Sequence, residues 1–363
     1  MMKKIIAVLC CLVIILSAAG CGEKTGNGNS SAGSEENVSV VDMAGRTVTV
    51  PKKINKVFST SAAGAIFIYS LAPEKLAGWN NELREVEKKY ILPEYRELPV
   101  LGTWKGTNFT GSIEELMKVA PDVIISMGDV SPKYTADAEE IEKRLGIPVI
   151  MVDGSLKNLD QAYEFVGKLL GEESRAQKLA EYCSHTYAEI DRWLQKLPEN
   201  ERVRLYYAEG PTGLETDIKG TVNSEAIDLA GAVNVATSGL DENVRRIQVS
   251  IEQILTWDPE VIIISTDADA KHEVYNTILT SGEWKGVRAV QNQKVYEIPC
   301  EPYDWISRPP SIFRILGVKW LANLLYPDLY EVDLIEETKQ FYKEFFHYEL
   351  TDQEAAKLLN PVV

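Results

Sequence analysis

The chain has 363 residues, a length that suits two domains or one large one. Its 45% hydrophobic and 25% charged residues exclude a mainly disordered or fibrous chain. A net charge of −16 excludes a general nucleic-acid binder, which needs a basic surface to displace counterions.

At the N-terminus, Lys3 and Lys4 precede an unbroken apolar run over residues 5–16. Ser17, Ala18, Ala19 and Gly20 follow, and then Cys21. This pattern reads as a secretory signal, too short to serve as a membrane span. Small residues running into a cysteine resemble a bacterial lipobox, which implies cleavage before Cys21 and lipidation of its thiol. The commonest lipobox carries leucine where this chain has Ala18; an ordinary secreted protein cut near Gly20 is the alternative. Residues 22–37 are rich in Gly, Ser and Asn and have nothing to bury, so they read as a flexible tether. Beyond them no apolar stretch is long enough to cross a bilayer.

The body reads as α/β units. Strands are expected at residues 56–59, 148–152, 203–207 and 294–298, and helices at 65–71, 136–145, 224–230 and 311–326. An internal repeat strengthens this. Ile113-Glu114 is followed by an apolar pair, three variable residues, Pro121-Asp122 and a Val/Ile run. Ile251-Glu252 is followed by the same order, with Pro259-Glu260 before its run. Each copy predicts a short amphipathic helix stopped by proline and feeding a buried strand, and strands apolar throughout suit a parallel sheet covered on both faces. Between the copies, residues 159–197 show helical periodicity interrupted once near Gly171, and the second segment predicts a long stiff connector. The chain closes with amphipathic stretches at 334–348 and 352–359.

The expected organisation is a signal peptide at 1–20 and a lipidated Cys21 with its tether at 21–39. An N-terminal α/β lobe at 40–157, a spine connector at 158–200 and a C-terminal α/β lobe with terminal helices at 201–363 follow. The fold class is α/β: two lobes with central, mostly parallel sheets, joined by one long helix, with a ligand cleft between them. Cys183 and Cys300 remain in the body, either paired or simply buried. The three histidines, His185, His272 and His347, are too scattered to suggest a bare metal site. There is no Gly-x-Ser-x-Gly, His-Glu-x-x-His, phosphate-loop lysine or Cys-x-x-Cys motif, and no enzyme is expected.

Several segments carry a family resemblance in chain order. They are the opening hairpin from Val41-Asp42-Met43-Ala44-Gly45 to Pro51, Leu98-Pro99-Val100-Leu101-Gly102, Gly146-Ile147-Pro148-Val149, and Ser224-Glu225-Ala226 to Asn234. With the repeat and the spine, the chain resembles the helical-backbone substrate-binding lipoproteins of bacterial ABC importers over roughly residues 40–350. That class captures iron-siderophore complexes, cobalamin and haem. The resemblance implies a monomer on the outer face of the cell membrane that delivers its small-molecule ligand to an ABC permease and its ATPase. It implies no covalent cofactor and no nucleic acid, and a ligand that is a ferric siderophore, a corrinoid or haem. It also gives Glu114 and Glu252 a role: in the family a glutamate at this position on each lobe meets arginine pockets on the permease. A solvated first-turn acid is the alternative for each.

Ligands of α/β folds meet loops at the carboxyl ends of strands. The loops so placed nominate Ser61, Trp79, Trp104, Lys105, Tyr207, Tyr303, Trp305 and Arg308 as ligand-binding residues. Aromatics offer broad contact to a large planar ligand, or else plug the lobe ends, and Arg308 pairs with an anionic group or fixes its loop. Only one of Tyr206 and Tyr207 can face a given side of its strand. Two alternatives stand beside the importer of chelated metal. In the first, the same fold holds a small oxyanion such as molybdate or tungstate on the helix-start amides after Ser61 and on Arg308. In the second, the lobes serve a surface enzyme or sensor.

Overall fold

The computed structural model describes residues 36–104, 109–237, 246–266, 270 and 272–359. The signal peptide, Cys21, most of the tether and Lys105 lie outside the described residues. The body opens with a hairpin, β1 (Asn37–Val41) and β2 (Thr47–Pro51), so strand structure begins inside the segment assigned to the tether. Alternating valines on β2 put Val48 and Val50 into the core, and the turn uses Gly45 at φ 80°, a conformation that favours glycine.

The N-terminal sheet is parallel, in the order β3 (Val57–Ser59), β4 (Val123–Gly128), β5 (Val149–Asp153). Its helices are α1 (Ala62–Leu71), α2 (Glu85–Tyr90), α3 (Ile113–Val119) and α4 (Pro132–Leu145). The connector is α5 (Leu159–Leu170), a turn at Gly171 with φ 73°, and α6 (Glu173–Leu194), the long helix of 22 residues. The second sheet draws on β6 (Arg204–Ala208), β8 (Val233–Asn234), β10 (Val261–Ile264) and β11 (Val295–Glu297), all parallel, in the order β11-β10-β6-β8. A small antiparallel pair, β7 (Glu215–Thr216) and β9 (Ile247–Gln248), stands beside it. Helices α7 (Glu225–Leu229), α8 (Ile251–Trp257), α9 (Glu273–Thr280) and α10 (Arg288–Gln291) complete that lobe. Then come α11 (Phe313–Leu325), α12 (Leu334–Phe346) and α13 (Asp352–Leu359).

The strand alternation sorts the core into layers. On β4, Val123, Ile125 and Met127 enter one large cluster, while Ile124 enters a smaller outer one. On β6, Leu205 and Tyr207 join the same large cluster, and Tyr206 and Ala208 a different outer one. Tyr206 and Tyr207 are thus both buried, on opposite faces. The inner faces of both sheets share one core with α1, α5, α6, α11 and α12, while α3 and α4 cover the outer face of the first sheet and α8 and α9 that of the second.

The repeat is structural as well as sequential. α3 and α8 are each seven residues long, capped by Ser112 and Ser250, whose hydroxyls accept from the amides of Glu115 and Gln253 at 3.3 and 3.2 Å. Each ends on a left-handed residue, Ala120 at φ 50° and Asp258 at φ 46°, before its proline. Asp122 then accepts from the Lys56 amide at 2.9 Å, and Glu260 from the Arg204 amide at 3.0 Å, tying each unit to the neighbouring strand. Cys183 and Cys300 are both buried and are not paired with each other in a disulfide. Among the described residues no helix is long and apolar enough to cross a membrane.

Candidate functional site

A cleft of about 630 Å³ opens between the lobes. Its N-terminal wall is the start of α1, with Ala62 and Ile66, and the segment bearing Trp79, Asn80, Arg84 and Glu87. Trp79 is held in a strand-like bridge to Val100, and its indole Nε1 donates to the Tyr95 carbonyl at 2.8 Å. Asn80 is fixed by its amide nitrogen, which donates to the carbonyls of Ser59 and Gly102 at 2.9 and 2.8 Å. Ser61 is the N-cap of α1, and its hydroxyl and that of Thr60 are buried without a hydrogen-bond partner.

The C-terminal wall comes from loops at the ends of β6 and β10 and from the segment before α11. Glu209, Arg246, Thr266, Tyr303, Asp304 and Arg308 line it. Arg308 donates from Nε to Glu209 Oε1 at 2.8 Å and from Nη2 to Asp217 Oδ2 at 2.7 Å. The two carboxylates are 1% and 0% exposed while the Arg308 side chain is 38% exposed, so the acids sit behind and the guanidinium faces the cleft. Burial opposes the charge on Arg308, but Glu209 outweighs it and holds the guanidinium above its usual pKa. Burial pushes the Asp217 carboxyl from 3.8 up to about 7, with Glu209 adding to the rise and Arg308 opposing it. Asp304 is raised to about 6 by burial, against hydrogen bonds from the amides of Ser307 and Ile306 and from the Ser265 hydroxyl.

Two further guanidiniums complete the arrangement. Arg246 donates to Glu215 at 2.7 Å and is 45% exposed. Arg84 donates to Glu87 at 3.0 Å and, across the lobes, to the Pro302 carbonyl at 3.1 Å. Each is held by a carboxylate, which sets its rotamer in advance, as outer partners do for ligand-contacting groups. Sequence reasoning missed Arg84, Arg246 and Asp217. The Arg84–Glu87 spacing, a reciprocal cap at the start of α2, was the one local signal; Arg246 and Asp217 come together with Arg308 only through tertiary structure.

Of the nominated residues, Trp79, Tyr303 and Arg308 share the cleft lining; Ser61 does not line it, although the next residue, Ala62, does. Three others are placed elsewhere. Trp104 is 2% exposed and packs in the outer cluster, its Nε1 on the Leu101 carbonyl and its ring against Phe109. Trp305 is wholly buried in the shared core, where its carbonyl lies so near Gly317 of α11 that a Cβ there would come within 1.9 Å. Tyr207 is equally buried and is hydrogen-bonded to the Ser307 hydroxyl. Proximity to a strand end could not separate these three from cleft residues, because the layer packed above the strand ends is also core. Glu114 and Glu252 lie on the outer helices α3 and α8, away from the cleft, with Glu114 77% exposed.

Comparison with known proteins agrees with this architecture. Residues 70–302 match the periplasmic binding protein family. A solved ABC transporter solute-binding protein from Sulfurospirillum deleyianum is 31% identical with a TM-score of 0.80, covering 89% of this chain and 99% of its own. The molybdate-binding protein MolA of Haemophilus influenzae is 24% identical over 344 residues, 88% of this chain and 93% of MolA. A vitamin B12-binding protein of Vibrio cholerae is 27% identical over 202 residues, 55% of this chain and 67% of that protein. With its two parallel-sheet lobes, long connecting helix and interlobe cleft, the chain belongs to the periplasmic binding protein family and is the substrate-binding component of an ABC transporter.

Proposed function

We propose that the cleft captures a chelated metal or corrinoid, a ferric siderophore, cobalamin or haem, and that the protein hands it to a permease without transforming it. The observation that carries this reading is the cleft itself. Its volume of about 630 Å³ falls in the range of sites for organic ligands of drug size, and guanidiniums reach it from both lobes, Arg84 from one and Arg246 and Arg308 from the other. Such an arrangement suits a bulky ligand bearing several acidic groups. Trp79 and Tyr303 add aromatic walls. Among the described residues no three His, Cys, Asp or Glu side chains converge as metal ligands, so a metal would arrive inside its own chelator.

A second reading is a small oxyanion. MolA, a relative matching most of the chain, favours it, as do the unpartnered hydroxyls of Thr60 and Ser61 at the start of α1. The test is native mass spectrometry of the protein taken from its own host, with an absorption spectrum of the same sample. A bound organic chelate absorbing in the visible supports the first reading; a colourless oxyanion overturns it in favour of the second.

Delivery rests on Glu114 and Glu252. We read them as the paired docking acids, one per lobe, for charge-assisted pairing with arginines of the permease. We read the protein as a monomer tethered to the outer face of the membrane through a lipid on Cys21. Metabolic labelling with a fatty-acid probe should mark the chain, and a Cys21→Ala variant should lose the label.

A further inference from the structure

Among the described residues eight large apolar side chains are exposed, and four of them, Phe109, Ile113, Met117 and Leu255, lie on or just before α3 and α8. Scattered exposed apolar residues need no explanation. A matched pair does. Met117 and Leu255 hold the same position in the two repeat helices, three residues after Glu114 and Glu252, and are 48% and 41% exposed. Their preceding neighbours, Leu116 and Ile254, are wholly buried and bolt each helix to its sheet. Folding therefore accounts for the inward residue of each helix but not for the outward one. In a helix, residues i and i+3 share a face, so each glutamate and its apolar neighbour form one small acidic-apolar patch. The patch occurs twice, once on the outer layer of each lobe. The electrostatics differ slightly: Glu114 has a nearby cation in Lys118 at 3.0 Å, where α8 carries Thr256.

We propose that Met117 and Leu255 are the apolar anchors of the permease-docking surface, and that the permease presents two copies of one site, a cationic recess with an apolar rim. This rests on the docking reading of Glu114 and Glu252 and extends it. A surface carboxylate pair orients a partner and weakens with salt, whereas an apolar anchor buried at the centre of a patch supplies affinity that salt does not remove.

The test uses the full-length protein in membranes of its own host. A photoreactive benzophenone residue is placed at position 117 or 255, with position 178 on α6, also exposed, as control. Both repeat positions should crosslink to the same peptide of an ABC permease, and position 178 should not. Crosslinks from 117 and 255 to different peptides would overturn the claim of two identical sites, and no permease crosslink would overturn the docking surface itself. Affinity for that permease in lipid nanodiscs is then measured against salt. M117S and L255S should each weaken docking about tenfold at low and high salt alike. If E114A/E252A loses docking while M117S and L255S keep it, the anchors are wrong and the glutamates stand. If neither pair matters, both readings fall. Both apolar side chains are solvent-facing, and an unchanged melting temperature confirms that the variants fold.

Discussion

Arg308 holds two buried carboxylates and still turns more than a third of its side chain toward the cleft. Removing it leaves Asp217 buried without its cation and Glu209 with only Arg246, at 3.9 Å. R308A is therefore expected to lose ligand and also about 3 kcal/mol of stability, at the low end for a broken buried pair because Arg308 is partly solvated. R246A separates the two effects. Its side chain is more exposed and its main partner, Glu215, is 29% exposed, so ligand affinity should fall with little change in chemical denaturation. The acids also make stability depend on pH. A carboxyl raised from 3.8 to about 7 binds its proton more tightly in the folded state. Its contribution is full below the unfolded value and is lost as pH rises through about 7. D217N should flatten the fall between pH 4 and 7 by on the order of 4 kcal/mol, measured by urea titration at several pH values. A steeper fall in D217N would exclude this account.

At the scale of elements, α3 and α8 show how a short helix is made firm enough to carry a function. Seven residues form a marginal helix alone. Each is fixed by a serine cap, a buried residue, Leu116 or Ile254, and a left-handed stop before proline. S112A and S250A should each cost about 1 kcal/mol, read from denaturation midpoints, with ligand affinity unchanged because neither helix lines the cleft. The connector illustrates a different constraint. Gly171 lets α5 fold back onto α6, so the stiff element is α6 alone rather than the whole periodic segment.

For the whole molecule, the shared core limits how the lobes move. α12 packs on α1, and the Tyr69 hydroxyl reaches the Phe346 carbonyl at 3.4 Å, so the C-terminal helices brace the first lobe. Arg314, wholly buried on α11, donates to the Gly154 carbonyl at 2.6 Å and pairs with Glu225, pinning the exit of the first sheet to the second lobe. A cleft framed this way is largely formed before ligand arrives. Docking and capture are then separable. E114A/E252A should abolish import of the ligand found by mass spectrometry while its affinity, by calorimetry, stays within about twofold. Import at the normal rate would rule out docking through these acids.

The amino-acid sequence by itself determined the α/β class, the two lobes and the repeat, because hydrophobic period and proline stops act over a few residues. Both glutamate positions were legible for the same reason. It could not choose among the tryptophans and tyrosines. Trp79 and Trp305 are both tryptophans that the sequence assigns to loops near strand ends, yet one lines the cleft and the other is sealed under α11. Nor could it join Arg84 to Arg246 and Arg308, or place Asp217 behind Arg308. Those partners are far apart in the chain: the fold of the second lobe brings Arg308 within hydrogen-bonding distance of buried Asp217, and the packing of the two lobes sets Arg84 on the same cleft as Arg246 and Arg308.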